Sequence, residues 1–210
     1  MFEVLDEEHP DFGVATEFVR ENFKRTYGAN VHSFMPNFIR VSDRNGHTKA
    51  VVGFRDAASG PLYLEQYMDQ PIEAAISRYM AMPVQRSEIV EVGNMSEAAP
   101  GDARMAIIGA TACLYNAGYR WVVFTGISRL RNAFRRLGLN PKELMEADET
   151  LLSREERESW GSYYAGGAVI CFGEIKEGHD NLQELWTALR DTWAAAEIAG
   201  QKLAEEKRAL

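Results

Sequence analysis

Apolar positions recur every three or four residues across residues 11–27, where Val14, Phe18, Val19 and Phe23 share one face. That is the period of an amphipathic helix. The next stretch, 29–37, carries Pro36 and several turn formers and breaks the pattern. Residues 38–42 and 49–55 read as strands, and the turn between them, 43–47, has Asn45-Gly46 at its centre, a strong hairpin signal. After the Gly60-Pro61 turn, residues 62–67 read as extended. Residues 71–80 read as a helix or loop, with Pro71 near its first position and Glu73 in its first turn, both favourable there.

The central third alternates between the two periods. Residues 88–94 read as a strand, 95–102 as a loop, and 103–117 as a helix with Asp102 at its N-cap and Gly118 as its stop. A buried-type strand over 120–125 and a helix over 127–137, closed by Gly138, come next. Helical residues are expected through 142–159, and 168–175 (AVICFGEI) reads as the final strand. A long helix is expected over 180–208, opened by an Asp180/Gln183 capping box, with Leu182, Leu185, Trp186, Leu189 and Trp193 as its apolar stripe. The expected fold is α+β, a mixed sheet sandwiched by helices.

A chain of 210 residues with 46% hydrophobic and 26% charged residues is long enough for one sizeable core and too apolar for disorder. No internal repeat or Gly/Ser linker divides it. One domain is preferred over two; within it a catalytic core over 1–176 carries a helical extension over 177–210, packed on the same domain or on a partner subunit, which leaves a homodimer open. The net charge of −8 shows no basic face for nucleic acid. Arg129, Arg131, Arg135 and Arg136 form one tight cluster, read as a local anion site. Cys113 and Cys171 sit in apolar runs and read as buried thiols. Four scattered histidines without ligand spacing point to no metal. Walker-type and dinucleotide Gly-rich motifs are absent. The N-terminus lacks a signal-peptide shape, and no uncharged apolar run approaches the roughly 20 residues that span a bilayer. A cytoplasmic location is expected.

Candidate chemistry lies around 88–104. A strand feeding a loop and a helix start presents backbone N–H groups that suit an anion. Gly101 allows close approach and Arg104 adds a cation, whereas the negative Asp102 opposes an anion, so an ordinary capped helix and an anion cradle both stay open. Glu65, Glu88 and Glu91 are carboxylates in otherwise apolar extended runs. A raised pKa would suit Glu65 or Glu91 to accept a proton, and all three could instead face solvent or pair with Arg78, Arg86 or Arg104. Asn94 and Ser96, just past the strand, either bind a ligand or cap the loop. Met80, Met82, Met95 and Met105 suit an acyl tunnel or a plain core. Trp160, Tyr163 and Tyr164 line a groove or finish the core.

The segments YLEQYMDQPIE (63–73), IVEVGNMSE (89–97), WVVFTGISRLRNAFRRLGLNP (121–141) and WGSYY (160–164) together resemble the bacterial thermostable-hemolysin family over residues 12–176. That family is similar to GNAT-like acyltransferases and lies near the acyl-homoserine-lactone synthases. The resemblance implies a sheet whose fourth and fifth strands, here 89–93 and 120–125, splay around a pantetheine arm. It also implies N-acyl transfer, without a covalent acyl-enzyme, from acyl-CoA or an acyl-carrier protein to a small amine or amino-acid-like acceptor. In that picture Glu91 or Glu65 accepts the amine proton. Asn94, Met95 and Ser96 line the thioester site, where backbone N–H groups near Gly93–Met95 polarise the carbonyl. Gly101 and Arg104 hold phosphate, Arg129 and Asn132 contact the carrier or a carboxylate, and Tyr163 or Tyr164 protonates the thiolate. Two departures stand out. Residues 100–106, PGDARMA, lack the paired glycines of a pyrophosphate loop, and Phe134 replaces a hydroxyl-bearing residue. Two alternatives therefore stay open: a non-catalytic binding or cytotoxic protein on this fold, and a synthase with S-adenosylmethionine as acceptor.

Overall fold

The computed structural model describes residues 1–187, 190 and 197. Seven strands form one mixed sheet in the order β1-β2-β3-β4-β5-β7-β6. They are β1 (Phe2–Asp6), β2 (Asn37–Ser42), β3 (Thr48–Asp56), β4 (Ile89–Glu97), β5 (Trp121–Gly126), β6 (Lys142–Glu146) and β7 (Val169–Glu174). All neighbours run antiparallel except β4 and β5. The helices are α1 (Phe12–Tyr27), α2 (Ile72–Met80), α3 (Asp102–Asn116), α4 (Ser128–Arg136), α5 (Arg154–Ser159) and α6 (residues 175–187).

The period-two pattern sorts side chains onto two faces. Phe38 and Val51 point to one face, where α1 buries Ala15, Val19 and Phe23. Ile39, Ala50, Val52 and Val90 point to the other, where α3 supplies Ala106, Ala110 and Leu114. On the α1 side the core continues through Leu64, Ile72, Ile76, Trp121 and Phe172. On the α3 side it continues through Phe124, Phe134, Leu137 and Leu182. The first described turns of α6 are thus packed on this sheet.

Gly53 lets the chain before β2 lie against β3. A Cβ there would sit 2.8 Å from both Cβ and Cγ of Met35, whereas one at Gly93 meets only the flexible end of that side chain. Gly53→Ala is expected to cost about 1–3 kcal/mol by overpacking, read as a fall in Tm by calorimetry. Gly93→Ala should cost less.

Several expectations require correction. The acidic N-terminus, for which the sequence announces no element, forms β1, which pairs with β2 from Phe2↔Val41 to Asp6↔Asn37. Residues 62–67 are not extended. Tyr63–Tyr67 winds into a 3₁₀ turn because the Glu65 carboxylate accepts the Leu62 N–H at 2.9 Å. β4 runs on to Glu97 through residues read as loop. Asp102 does not cap α3. Gly101, at φ 100°, holds the N-cap, and Asp102 instead accepts the Ala99 N–H from inside the first turn. Residues 142–146 are an edge strand on β7, and only Arg154–Ser159 is α-helical in the stretch read as helix. Sheet pairing there outweighs the helix propensity of Lys-Glu-Leu-Met-Glu. α6 starts at 175, directly off β7, so Asp180 is an interior residue that pairs with Lys176 rather than a cap. Leu189 and Trp193 lie outside the described residues.

Candidate functional site

β4 and β5 pair in parallel over only three positions, Ile89↔Trp121, Val90↔Val122 and Glu91↔Val123. Beyond Glu91 they separate. The cause is local to β4, whose register against β3 slips between Val51↔Ser96 and Gly53↔Gly93. Asn94 takes up the extra residue at φ 50°, a left-handed conformation that asparagine tolerates. Such a bulge bends a strand and raises its twist. The Asn94 Oδ1 then accepts the Met35 N–H at 2.8 Å and pins the bend.

The gap is a cleft of about 370 Å³. Its walls are β4 from Val92 to Glu97, β5 at Phe124 and Thr125, α1 at Phe23 and Tyr27, α4 at Arg129, Leu130 and Phe134, and Tyr163. It shares Gly93, Asn94, Thr125 and Tyr163 with a chamber of about 60 Å³ on the α1 side that contains Glu91, Arg55, Tyr63, Tyr67 and Trp160. It shares Val92, Met95, Phe124 and Phe134 with an apolar cavity of about 90 Å³ on the α3 side.

Glu91 is 2% exposed and is the last β4 residue paired with β5. The Tyr63 and Leu64 N–H groups donate to its two oxygens at 2.8 and 2.9 Å. Burial raises its pKa, and those two N–H groups and nearby Arg55 only partly offset the rise. Across the split, the Tyr163 hydroxyl donates to the Thr125 carbonyl at 3.0 Å. Burial and the neighbouring Tyr164 and Tyr27 phenols push its pKa up, so the proton stays on oxygen. The Thr125 Oγ1 is buried and has no hydrogen-bond partner among the described residues.

Glu65 occupies a different environment. It accepts the Leu62 and Ile72 N–H groups and pairs with Arg86 at 2.6 Å. Partial burial opposes ionisation, but Arg86 and these N–H bonds outweigh it and hold the carboxyl at about 2. Glu65 is a tied structural anion outside the cleft. Glu88 faces Arg120.

The structure brings Glu91, Asn94, Met95, Ser96, Arg129 and Tyr163 together around the cleft and its chamber. Of the four methionines considered, Met95 alone lines these spaces. Gly101 forms the α3 N-cap behind the cleft wall, Arg104 is exposed on α3, and Asn132 is exposed on α4 beside Arg135. Sequence reasoning missed Thr125, Arg55 and Glu97. The Glu97 carboxylate accepts from the Gly101 and Ala103 N–H groups at 3.2 Å each and pairs with Arg129 at 2.8 Å. A glutamate four residues before Gly101 was the available signal.

Both cysteines are free thiols; burial pushes Cys171 up to about 12. Among the described residues no group of three or more His, Cys, Asp and Glu side chains gathers as a metal site, and no helix is long and apolar enough to cross a membrane.

Comparison with solved structures finds the same architecture. FeeM, an N-acyl amino acid synthase from uncultured soil microbes, superposes with a TM-score of 0.55 at 9% identity, over 86% of this chain and 96% of that one. MesI, a CoA-dependent acyl-homoserine lactone synthase, gives 0.54 at 13% identity over 89% and 95%. A GCN5-related N-acetyltransferase from Kribbella flavida gives 0.50 at 10% identity over 82% and 97%. The fold is therefore GNAT-like, and the splayed strands expected from the resemblance are its β4 and β5. No curated protein matches the chain by sequence. The model of the thermostable hemolysin family matches residues 5–179. With that match spanning most of its length, the chain belongs to the thermostable hemolysin family.

Proposed function

We propose that the protein transfers an acyl group from a pantetheine thioester to a small amine by direct attack. The observation that carries this reading is a buried carboxylate of raised pKa, Glu91, set at the point where the sheet splits. A carboxylate so placed is tuned to accept a proton from an amine. The solved acyl-transferring enzymes of like fold are consistent with it.

In this mechanism the amine enters the Glu91 chamber and the thioester lies in the cleft. The amine nitrogen forms a bond to the carbonyl carbon and its proton passes to Glu91. Backbone N–H groups of Gly93–Met95, on the β4 edge that β5 no longer covers, stabilise the oxyanion. The C–S bond then breaks, Tyr163 keeps its proton and turns its hydroxyl from the Thr125 carbonyl to hydrogen-bond the departing thiolate, and Glu91 returns its proton to solvent. Thr125 Oγ1, without a hydrogen-bond partner among the described residues, is available to the pantetheine amide. The apolar cavity beyond Phe124 and Phe134 takes the acyl chain. Arg55, in the same chamber as Glu91, suits an acceptor that carries a carboxylate, such as an amino acid.

The test is native mass spectrometry with hexanoyl, decanoyl and tetradecanoyl thioesters of both CoA and pantetheine, followed by an amine screen for thiol release. One-to-one adducts that favour one chain length and thiol release with an amine are expected. Absence of any thioester adduct would sink the reading in favour of a non-catalytic member of the fold.

A further inference from the structure

The loop from β4 into α3 is where a helix N-terminus would read a diphosphate, because its free N–H groups are the usual phosphate holders. Here none is free. The Ala98 N–H donates to the Lys49 carbonyl at 2.8 Å, and the Ala99 N–H to Asp102 at 3.0 Å. Pro100 has no N–H. The Gly101 and Ala103 N–H groups both donate to Glu97 at 3.2 Å. The Asp102 and Arg104 N–H groups close turns onto Ala99 and Gly101 at 3.1 and 3.2 Å. Two carboxylates thus stand where a diphosphate needs donors, and Arg129, the arginine of the α4 cleft wall, is already paired with Glu97.

We propose, resting on the acyl-transfer reading above, that Glu97 is a specificity residue that stops this loop from reading a diphosphate, so that the donor is a pantetheine thioester borne on an acidic carrier protein and not free acyl-CoA. A diphosphate brought to this loop meets two like charges and must first break the Glu97 bonds. A carrier-borne arm needs no contact there, since its protein supplies the affinity. The charge pattern suits such a partner. In a chain of net charge −8, α4 carries Arg129, Arg131, Arg135 and Arg136 and no acidic residue; Glu97 pairs with Arg129, and Glu143 with Arg131 and Arg135, so four arginines face two carboxylates and this wall keeps an excess of positive charge.

The experiment compares decanoyl-CoA, decanoyl-pantetheine and a decanoyl-loaded bacterial acyl carrier protein on the full-length protein. Binding of the two small thioesters is read by native mass spectrometry, and turnover of all three with an accepted amine. The expected result is equal affinity for decanoyl-CoA and decanoyl-pantetheine within about three-fold, and a kcat/KM for the loaded carrier at least about ten-fold above either. Glu97→Gln is expected to raise the affinity for decanoyl-CoA relative to decanoyl-pantetheine by about five-fold. Two outcomes overturn the proposal: wild-type binding of decanoyl-CoA ten-fold or more tighter than decanoyl-pantetheine, or a carrier thioester used no better than decanoyl-pantetheine. If no thioester of any kind binds or reacts, the acyl-transfer reading itself falls and takes this proposal with it. That result is distinct from a wrong donor preference. The wild-type comparison stands whether or not the variant folds.

Discussion

Replacing Glu91 with glutamine is expected to lower kcat/KM for amine acylation by about 10²–10⁴-fold and to leave thioester binding within about two-fold, since Glu91 faces the acceptor chamber. Glutamine keeps the size and one acceptor oxygen for the Tyr63 or Leu64 N–H, so the fold should persist and circular dichroism should show it. Glu65→Gln is the contrast. It should reduce stability and spare the chemical step, because Glu65 is bonded to Arg86 and lies outside the cleft. The pH profile adds a second readout. The acceptor must be ionised to work, and burial raises the Glu91 pKa above its ordinary 4.5. Activity should therefore fall as pH drops through that raised value, with the acid limb above the usual carboxylate range, and the limb should vanish in Glu91→Gln. Full activity in that variant would remove Glu91 as the proton acceptor.

How much of this was legible beforehand depended on whether the cause was local. The hairpin at Asn45-Gly46 was legible because turn chemistry resides in two residues. The strands around Val51, Val90 and Val123 were legible because burial on a sheet imposes its own composition. Residues 142–146 misled because their local preference is helical while the free edge of β7 decides their state. The turn at Tyr63–Tyr67 misled for a related reason. Its winding depends on Glu65 reaching back to Leu62, and on Glu91, 28 residues away, accepting from Tyr63. At the site, Glu91 stood out as a carboxylate in an apolar run, but Glu65 looked the same. Only the position of Arg86 separates a structural anion from a candidate base. Thr125 was invisible because an unpartnered hydroxyl is a fact of packing, not of sequence.

That same Arg86 gives the largest expected effect on stability. Its guanidinium bonds the Ala57 and Gly60 carbonyls at 2.8 Å each and pairs with Glu65 and Glu73 at 2.6 and 2.8 Å. Arg86→Met would leave two half-buried carboxylates and two carbonyls without it. Breaking such a pair from one side costs about 3 kcal/mol at the lower, partly solvated end of the range. For a chain of this length that is a Tm lower by about 6–12 °C. The pH dependence has a definite sign. The Glu65 pKa is about 2 in the folded state against an ordinary 4.5, so its stabilisation is fully present above about pH 4.5 and is lost as pH falls toward 2. The stability gap between wild type and Arg86→Met should therefore be widest near neutrality and narrow across that interval in pH-dependent urea titrations. Activity should respond as well, because Arg86 secures the turn whose Tyr63 and Leu64 N–H groups hold Glu91. Loosening those donors removes the groups that restrain the Glu91 pKa, so the acid limb of kcat/KM should move further up in Arg86→Met. A loss of stability with an unmoved limb would mean that the turn holds Glu91 without Arg86.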